Sequence, residues 1–258
     1  MTSAGINPTR PSIARVYDYW LGGKDNFASD RELADKIVKR MPQIPEMARA
    51  NRDWIIRAVS LAVESGVRQI LDVGCGLPTS APGLPNVHEV AQSIAPDTRV
   101  LYMDNDPIVQ AHGRALLATN AHTQLEEGDL RELDKTLASL TFLDLSKPVL
   151  LLLAAVLHFF PDAGEREPYQ LVRSIMDQLP AGSYLAITHG QDTPETRAVS
   201  ADYTVASAQL RGPEEVSAFF AGLDLVEPGV VRLHEWRPRE DSPFDEPVAV
   251  LGGLARKP

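Results

Sequence analysis

From residue 68 to residue 190 the apolar positions gather into short runs, and between those runs they recur every three or four residues. Such runs, bounded by turn residues, fit strands buried on both faces of a sheet, and the intervening period fits amphipathic helices. RQILDVGCG (68–76), RVLYMDNDP (99–107), TQLEEGDLR (123–131), PVLLLLAAVLHFF (148–160) and SYLAITHG (183–190) are the first five predicted strands with their exit turns. Helices are predicted at 86–95, 108–119, 169–180, 195–208 and 213–221, and two last strands at 230–236 and 247–255. This alternation implies an α/β fold with a doubly wound, mostly parallel sheet of seven strands.

Upstream of residue 66 the pattern is helical throughout. SDRE at 29–32 has the form of a capping box, and Ala34, Ile37, Val38 and Met41 follow at helical spacing as far as Pro42. Met47, Trp54, Ala58 and Leu61 share one face of a second helix over residues 45–64, with Gly66 suited to end it. Residues 1–65 therefore read as a helical extension that opens on a loose tail over residues 1–10, and residues 66–258 as the sheet domain.

Composition narrows the function more than the fold. A chain of 258 residues suffices for one full α/β core. A net charge of -10 weighs against a general affinity for nucleic acid or anionic membrane, and no aromatic-basic stripe points to RNA or DNA. The single Cys75 excludes an intrachain disulfide, and six scattered histidines without HxxxH or HExxH spacing give no metal site. The apolar run at 149–157 is half the length of a membrane span, and MTSAGINPTR lacks the apolar stretch of a secretory signal, so a cytoplasmic location is expected.

In a sheet of this kind ligands sit beyond the carboxyl ends of the strands, where the strand order reverses. Three predicted strand ends carry fitting residues. Asp72 precedes the turn Gly74-Cys75-Gly76, whose glycines let backbone approach a ligand closely. Asp104 ends the second strand, where a carboxylate accepts from the vicinal hydroxyls of a ribose. Asp129 ends the third, where it can accept from an adenine amino group. Each alone is equally a turn acid or a helix cap; together, in order, they point to an adenosine site. The dinucleotide fingerprint fails, because Thr79 stands where its third glycine belongs and Pro78 intervenes. A phosphate loop at Gly23-Lys24 fails too, because Asp18 and Asp25 occupy positions that need glycine and Ser or Thr.

LDVGCG, YMDNDP, EEGDLR and LLLAAVLHFFPD together resemble the class I S-adenosylmethionine-dependent methyltransferases, over residues 66–258. With PSIARVYDYWLGGKDNF, LDVGCGLPT, NVHEVAQ and EWRP the chain resembles more particularly a bacterial family known as DUF574, or S-adenosyl methyltransferase, over nearly its whole length. The resemblance implies a Rossmann-like sheet and S-adenosylmethionine as cofactor, leaving S-adenosylhomocysteine as product. It implies that Asp72, Gly74, Cys75 and Gly76 form the turn around the methionine part and Asp104 holds the ribose. Asn105 would lie against the adenine, Asp129 and Leu130 would meet its amino edge, and Ala154, Ala155 and His158 would line the methyl-transfer side. Pro78 departs from the broader class, which often has a glycine there, so the next helix is expected to start late and LPTSAPGLP to reach the site.

Methyl transfer from a sulfonium needs alignment above all, and a base where the nucleophile holds a proton. His158, His189, Tyr17 and Asp18 are the candidate bases, each with a packing role as its alternative. Cys75 sits inside the glycine turn without a base partner and reads as small filler. N-terminal helices in this class often cover the cofactor, which implies a lid of Tyr17, Tyr19 and Trp20, a bend at Gly22-Gly23, and Arg15 or Lys24 paired with the cofactor's carboxylate. The expected function is methyl transfer to a small-molecule acceptor. A regulatory module that binds the cofactor without turnover is the alternative, and a nicotinamide-dependent oxidoreductase is disfavoured by Thr79. Oligomeric state stays open.

Overall fold

A computed structural model describes residues 6–79, 81–117, 120–163, 167–200, 208–240, 242–243 and 246–258. Three helices come first: α1 (Ile13–Trp20), α2 (Ala28–Arg40) and α3 (Ile44–Glu64). Then β1 (Gln69–Val73), α4 (Val87–Ile94), β2 (Arg99–Asp104), α5 (Pro107–Leu116), β3 (Thr123–Glu127), α6 (Leu130–Thr136) and β4 (Leu150–Ala154) follow. The chain continues through α7 (Pro168–Gln178), β5 (Tyr184–Gly190), α8 (Pro194–Ser200), α9 (Pro213–Ser217), β6 (Asp224–Leu225), β7 (Val231–Arg232) and β8 (Val250–Arg256).

The strands lie in the order β3-β2-β1-β4-β5-β8-β6, with β7 also paired to β8. All pairs among β1 to β5 are parallel, and β8 runs antiparallel to β5. The order reverses between β1 and β4, which opens a cleft at their carboxyl ends. Alternation within each strand builds two cores. Ile70, Val100, Leu150, Ala186 and Leu254 face the side covered by α3, while Leu71, Leu101, Leu151, Leu185 and Leu251 face the side covered by α6 and α7. The sheet is thus doubly wound.

The N-terminal helices belong to the same core as the sheet, since Val16, Trp20, Ile37 and Trp54 join Ile70 and Leu150 in one apolar cluster. Trp54 of α3 packs on Trp236 with ring centroids 5.2 Å apart and closes on β8 at Gly252, where an added Cβ would stand 2.7 Å from the indole. Arg57 ties α3 further, donating to the Leu233 carbonyl at 2.9 Å.

Three local expectations are corrected. Ser29 does not cap α2. The helix starts at Ala28, Asp30 accepts from the Phe27 N–H at 2.7 Å, and Ser29 donates instead to the Pro8 carbonyl. The turn after β3 runs straight into α6, a seven-residue helix too short to show a period. The run at 230–236 is strand only at Val231–Arg232 before a 3-10 turn at Leu233–Glu235, and the two-residue β6 shares the outer edge of β8. The helix expected at 195–208 is α8, and its remainder over 201–207 lies outside the described residues, as does the tail over 1–5.

Candidate functional site

The three acids meet at one cavity of about 480 Å³ at the carboxyl ends of β1, β2 and β3. Asp104 is the last residue of β2, and its carboxylate is fixed by two backbone donors at 2.9 Å: the Gly76 N–H on Oδ2 and the Asp106 N–H on Oδ1. Burial pushes its pKa up and the backbone donors pull it back only in part. Gly74 has φ +70, and any side chain there would strike Val156, so the turn after β1 lies against the turn after β4. Gly74 and Cys75 both donate to the Met103 carbonyl, which zips the turn to β2. Burial, then Asp72 and Asp104, hold the Cys75 thiol well above its usual range, which leaves it a filler without nucleophile character.

Asp72 lines the same cavity from β1 and is raised to about 7, first by burial and further by Asp104, against the opposing pull of Arg52. Arg52 comes from α3. It is buried, donates through Nη2 to the Pro85 carbonyl at 3.2 Å, and its Nε has no hydrogen-bond partner. At the other end Asp129 caps α6, accepting from the Arg131 N–H at 2.9 Å and from Asn105 Nδ2 at 3.1 Å. Burial raises this carboxyl, but those donors and the Arg131 guanidinium outweigh it, so Asp129 stays ionised. Leu130 and Asn105 complete that wall. The late helix start after Pro78 is observed: α4 begins only at Val87, and Leu77 and Thr79 reach the cavity. With no helix N-terminus behind the glycine turn, a pyrophosphate would lack its usual dipole.

The stretch RVYDYWLGGKDN is divided between wall and internal scaffolding. Tyr17 lines the cavity, donates to the Ala48 carbonyl at 3.0 Å and accepts from Asn51 Nδ2 at 2.9 Å; burial raises its pKa, so it is a neutral phenol without base character. Ser12 ties α1 to the tip of β2, donating to Asp106 Oδ2 at 2.6 Å. Other candidates in this stretch turn elsewhere. Arg15 is spent on Asp30 at 2.7 Å and on the Asn7 and Arg10 carbonyls. Tyr19 donates to Asp35 on α2, Lys24 is exposed, and neither lines the cavity. Asp18 touches the wall, but Oδ2 accepts from the Asp25 N–H and Asn26 Nδ2, and Gly23 is needed because a side chain there would overlap that carboxylate. These pairings organise the loop; Arg15, Tyr19 and Gly23 do not line either cavity, whereas Asp18 lines the first with its Oδ2 already paired.

A second cavity of about 130 Å³ adjoins the first, sharing Ile13, Tyr17, Asn51, Ala155 and Phe159. Ala155, just past β4, adopts φ +55, a conformation L-residues rarely hold, and its N–H donates to Thr188 Oγ1 at 2.9 Å. The strained turn delivers His158 to the second cavity. Burial lowers its pKa to about 3, helped by His189 and Arg211, and its Nδ1 has no partner. His189 is a different case, fully buried outside both cavities. Its Nδ1 pairs with the Gly190 carbonyl at 2.9 Å and its Nε2 with Arg211 at 2.8 Å, so it is not a base. Arg211 is itself fully buried, donating to the Leu157 and Phe160 carbonyls and to Asp162.

Arg52, Asn51, Ser12, Asp106 and Arg211 went unseen in the sequence. For Asn51 a signal existed: it falls four residues after Met47 and three before Trp54, within the apolar stripe of α3. Among the described residues no group of three or more His, Cys, Asp or Glu could hold a metal ion, and no helix is long and apolar enough to cross a membrane.

A model of the family described as S-adenosyl methyltransferase matches residues 1–258. A DUF574 family protein from Streptomyces avermitilis is 41% identical, over 96% of this chain and 98% of its own, with a TM-score of 0.88. A proposed methyltransferase from Thermobifida fusca is 39% identical, over 96% of each chain, with a TM-score of 0.87. The N-methyltransferase NodS from Bradyrhizobium japonicum, solved in complex with S-adenosyl-l-homocysteine, shares the fold at 18% identity, over 95% of this chain and 99% of its own, with a TM-score of 0.51. A search of curated proteins returned no match.

Proposed function

The chain belongs to the S-adenosyl methyltransferase family, and on that premise we propose that it is an enzyme transferring the methyl group of S-adenosylmethionine to a small-molecule acceptor. One observation carries the reading. A single cavity has carboxylate acceptors at one end, Asp104 and Asp129, and at the other a buried guanidinium whose Nε lacks a partner beside a high-pKa acid, Arg52 and Asp72. Those donors and acceptors fit an adenosine at the first end and an amino-acid zwitterion at the second. Asp104 accepts from the ribose hydroxyls. Asp129 takes the adenine amino group, with Leu130 and Asn105 against the ring. Arg52 Nε donates to the carboxylate, and Asp72 accepts from the ammonium, which relieves its raised pKa. Bound there, the cofactor supplies a methyl group already activated on a sulfonium.

The protein's remaining work is to exclude water and align the nucleophile, worth up to about 7–11 kcal/mol in favourable cases. α1 and α3 act as the cover, with Tyr17 and Asn51 standing where the two cavities join. Isothermal titration with S-adenosylhomocysteine tests the cofactor reading. Micromolar binding that weakens about 100-fold in Asp104→Ala supports it, and no heat at millimolar ligand with the folded wild type rejects it. Methyl transfer from labelled cofactor into a cell extract, lost in the same variant, separates an enzyme from a module that only binds.

A further inference from the structure

The second cavity bears on the kind of acceptor, and this inference rests on the methyltransferase reading above. Its walls are Trp20, Met41, Ile44, Met47, Val199 and Leu210, and no described residue lining it is Asp, Glu, Lys or Arg. Its volume of about 130 Å³ lies near the roughly 150 Å³ of an engineered cavity that holds benzene. Two residues of its lining each carry a buried polar atom with no hydrogen-bond partner, His158 Nδ1 and Asn51 Oδ1, and in the Nε2–H tautomer His158 Nδ1 is an acceptor. Thr196 and Ser200 are satisfied by the Gln191 and Arg197 carbonyls, so they make no comparable demand. Buried acceptors without donors are costly, and a ligand that brings O–H or N–H groups removes that cost.

We propose that the methyl acceptor is an uncharged, single-ring molecule whose O–H or N–H is presented to His158 Nδ1, with Asn51 Oδ1 able to take a second donor. Among the described lining residues an anionic acceptor would find no counter-charge, and a cationic one likewise. In the reaction, the acceptor oxygen or nitrogen forms a bond to the methyl carbon as the carbon–sulfur bond breaks, the electron pair remaining on sulfur. The acceptor's proton passes to His158 Nδ1 and then to water. Burial keeps His158 neutral and ready to receive it. A weak base suffices, because the proton becomes strongly acidic as the new bond forms.

The test uses the full-length protein and four probes: phenol, catechol, anisole and 4-hydroxybenzoate. Binding is measured to protein saturated with S-adenosylhomocysteine, and transfer from methyl-labelled S-adenosylmethionine. Phenol and catechol are expected to bind and to be methylated, anisole to bind more weakly, and 4-hydroxybenzoate to bind at least about 100-fold more weakly than phenol. His158→Gln should retain phenol binding but lose about 100-fold in kcat. Met47→Trp and Ser200→Phe, which fill the cavity from two sides, should abolish phenol binding while S-adenosylhomocysteine affinity changes less than threefold. The acceptor class is overturned if phenol and catechol fail to bind at millimolar concentration to protein that still binds S-adenosylhomocysteine, or if 4-hydroxybenzoate reacts as well as phenol. His158 is reduced to a packing role if His158→Gln retains full kcat. Failure to bind S-adenosylhomocysteine at all would instead overturn the cofactor reading.

Discussion

The half of the cleft beneath the tips of β1, β2 and β3 is lined by carboxylates, a glycine turn and backbone N–H groups, whereas the half beneath α1, α3 and α8 is lined by methionine, tryptophan and aliphatic side chains. Hydrogen bonds shape the first. Asp104, Asp106 and Asp129 each take a backbone N–H within two residues or across the glycine turn, so their positions are set by direction as well as distance. Volume shapes the second, where packing decides and Met41 and Met47 adapt to what they meet. The lesson is that substitutions should act in separable ways: on cofactor affinity in the polar half, on acceptor choice and turn stability in the apolar half.

The largest expected effect is at the scaffold behind the apolar half. Arg211→Met removes a buried guanidinium that serves two carbonyls, His189 and Asp162. Loss of such a hub costs about 3–5 kcal/mol, seen as a fall in Tm of roughly 10 °C by calorimetry. A shift under 2 °C would mean that the β4 exit turn stands without it. Next comes Asp104→Ala, expected to weaken S-adenosylhomocysteine about 100-fold, about 2.7 kcal/mol, with acceptor-cavity binding of phenol little changed. Equal losses at both cavities would erase the distinction between the halves.

A pH effect of intermediate size follows from Asp72. Its folded pKa of about 7 lies above the ordinary 3.8, so the folded protein holds a proton that the unfolded chain has released between those values. Stability contributed by this group is therefore full below pH 3.8 and is lost as pH rises toward 7. Cofactor binding has the opposite slope, because an ammonium favours the ionised acid. Affinity for S-adenosylhomocysteine should rise up to about tenfold between pH 6 and 8, with proton release on binding that depends on buffer ionisation heat. Asp72→Asn should flatten both curves; an unchanged profile in that variant would assign the titration elsewhere.

The smallest effect is expected at Ser12. Ser12→Ala deletes its bond to Asp106 and should weaken S-adenosylhomocysteine about threefold, within the usual net worth of roughly 0.5–1.5 kcal/mol for one hydrogen bond. No change would show that α1 is held over the tip of β2 by packing alone.

Apart from Arg52, Ser12 and Asp106, the polar half was legible in the sequence, because Asp72 and Asp104 break apolar runs near their ends and a strand puts such a residue at the cleft. The apolar half was not. Its residues are ordinary helix-face residues, and only the fold tells which face closes on the cleft and which on the core. The same blindness made Arg15, Tyr19 and His189 look available: their partners Asp30, Asp35 and Arg211 lie 15, 16 and 22 residues away, and such pairs have no signature in composition or period. α6 escaped because seven residues are too few to show helical periodicity, although its cap, Asp129, was singled out for another reason.

The central claim is the direction of the cofactor across the two halves. A crystal structure with S-adenosylhomocysteine tests it most directly. The account predicts ribose hydroxyls on Asp104, the adenine beside Asp129 and Leu130, the carboxylate on Arg52, and the sulfur at the junction beside Tyr17 and Ala155, facing His158. Density with the adenine in the apolar cavity, or the amino-acid end at Asp129, would contradict it.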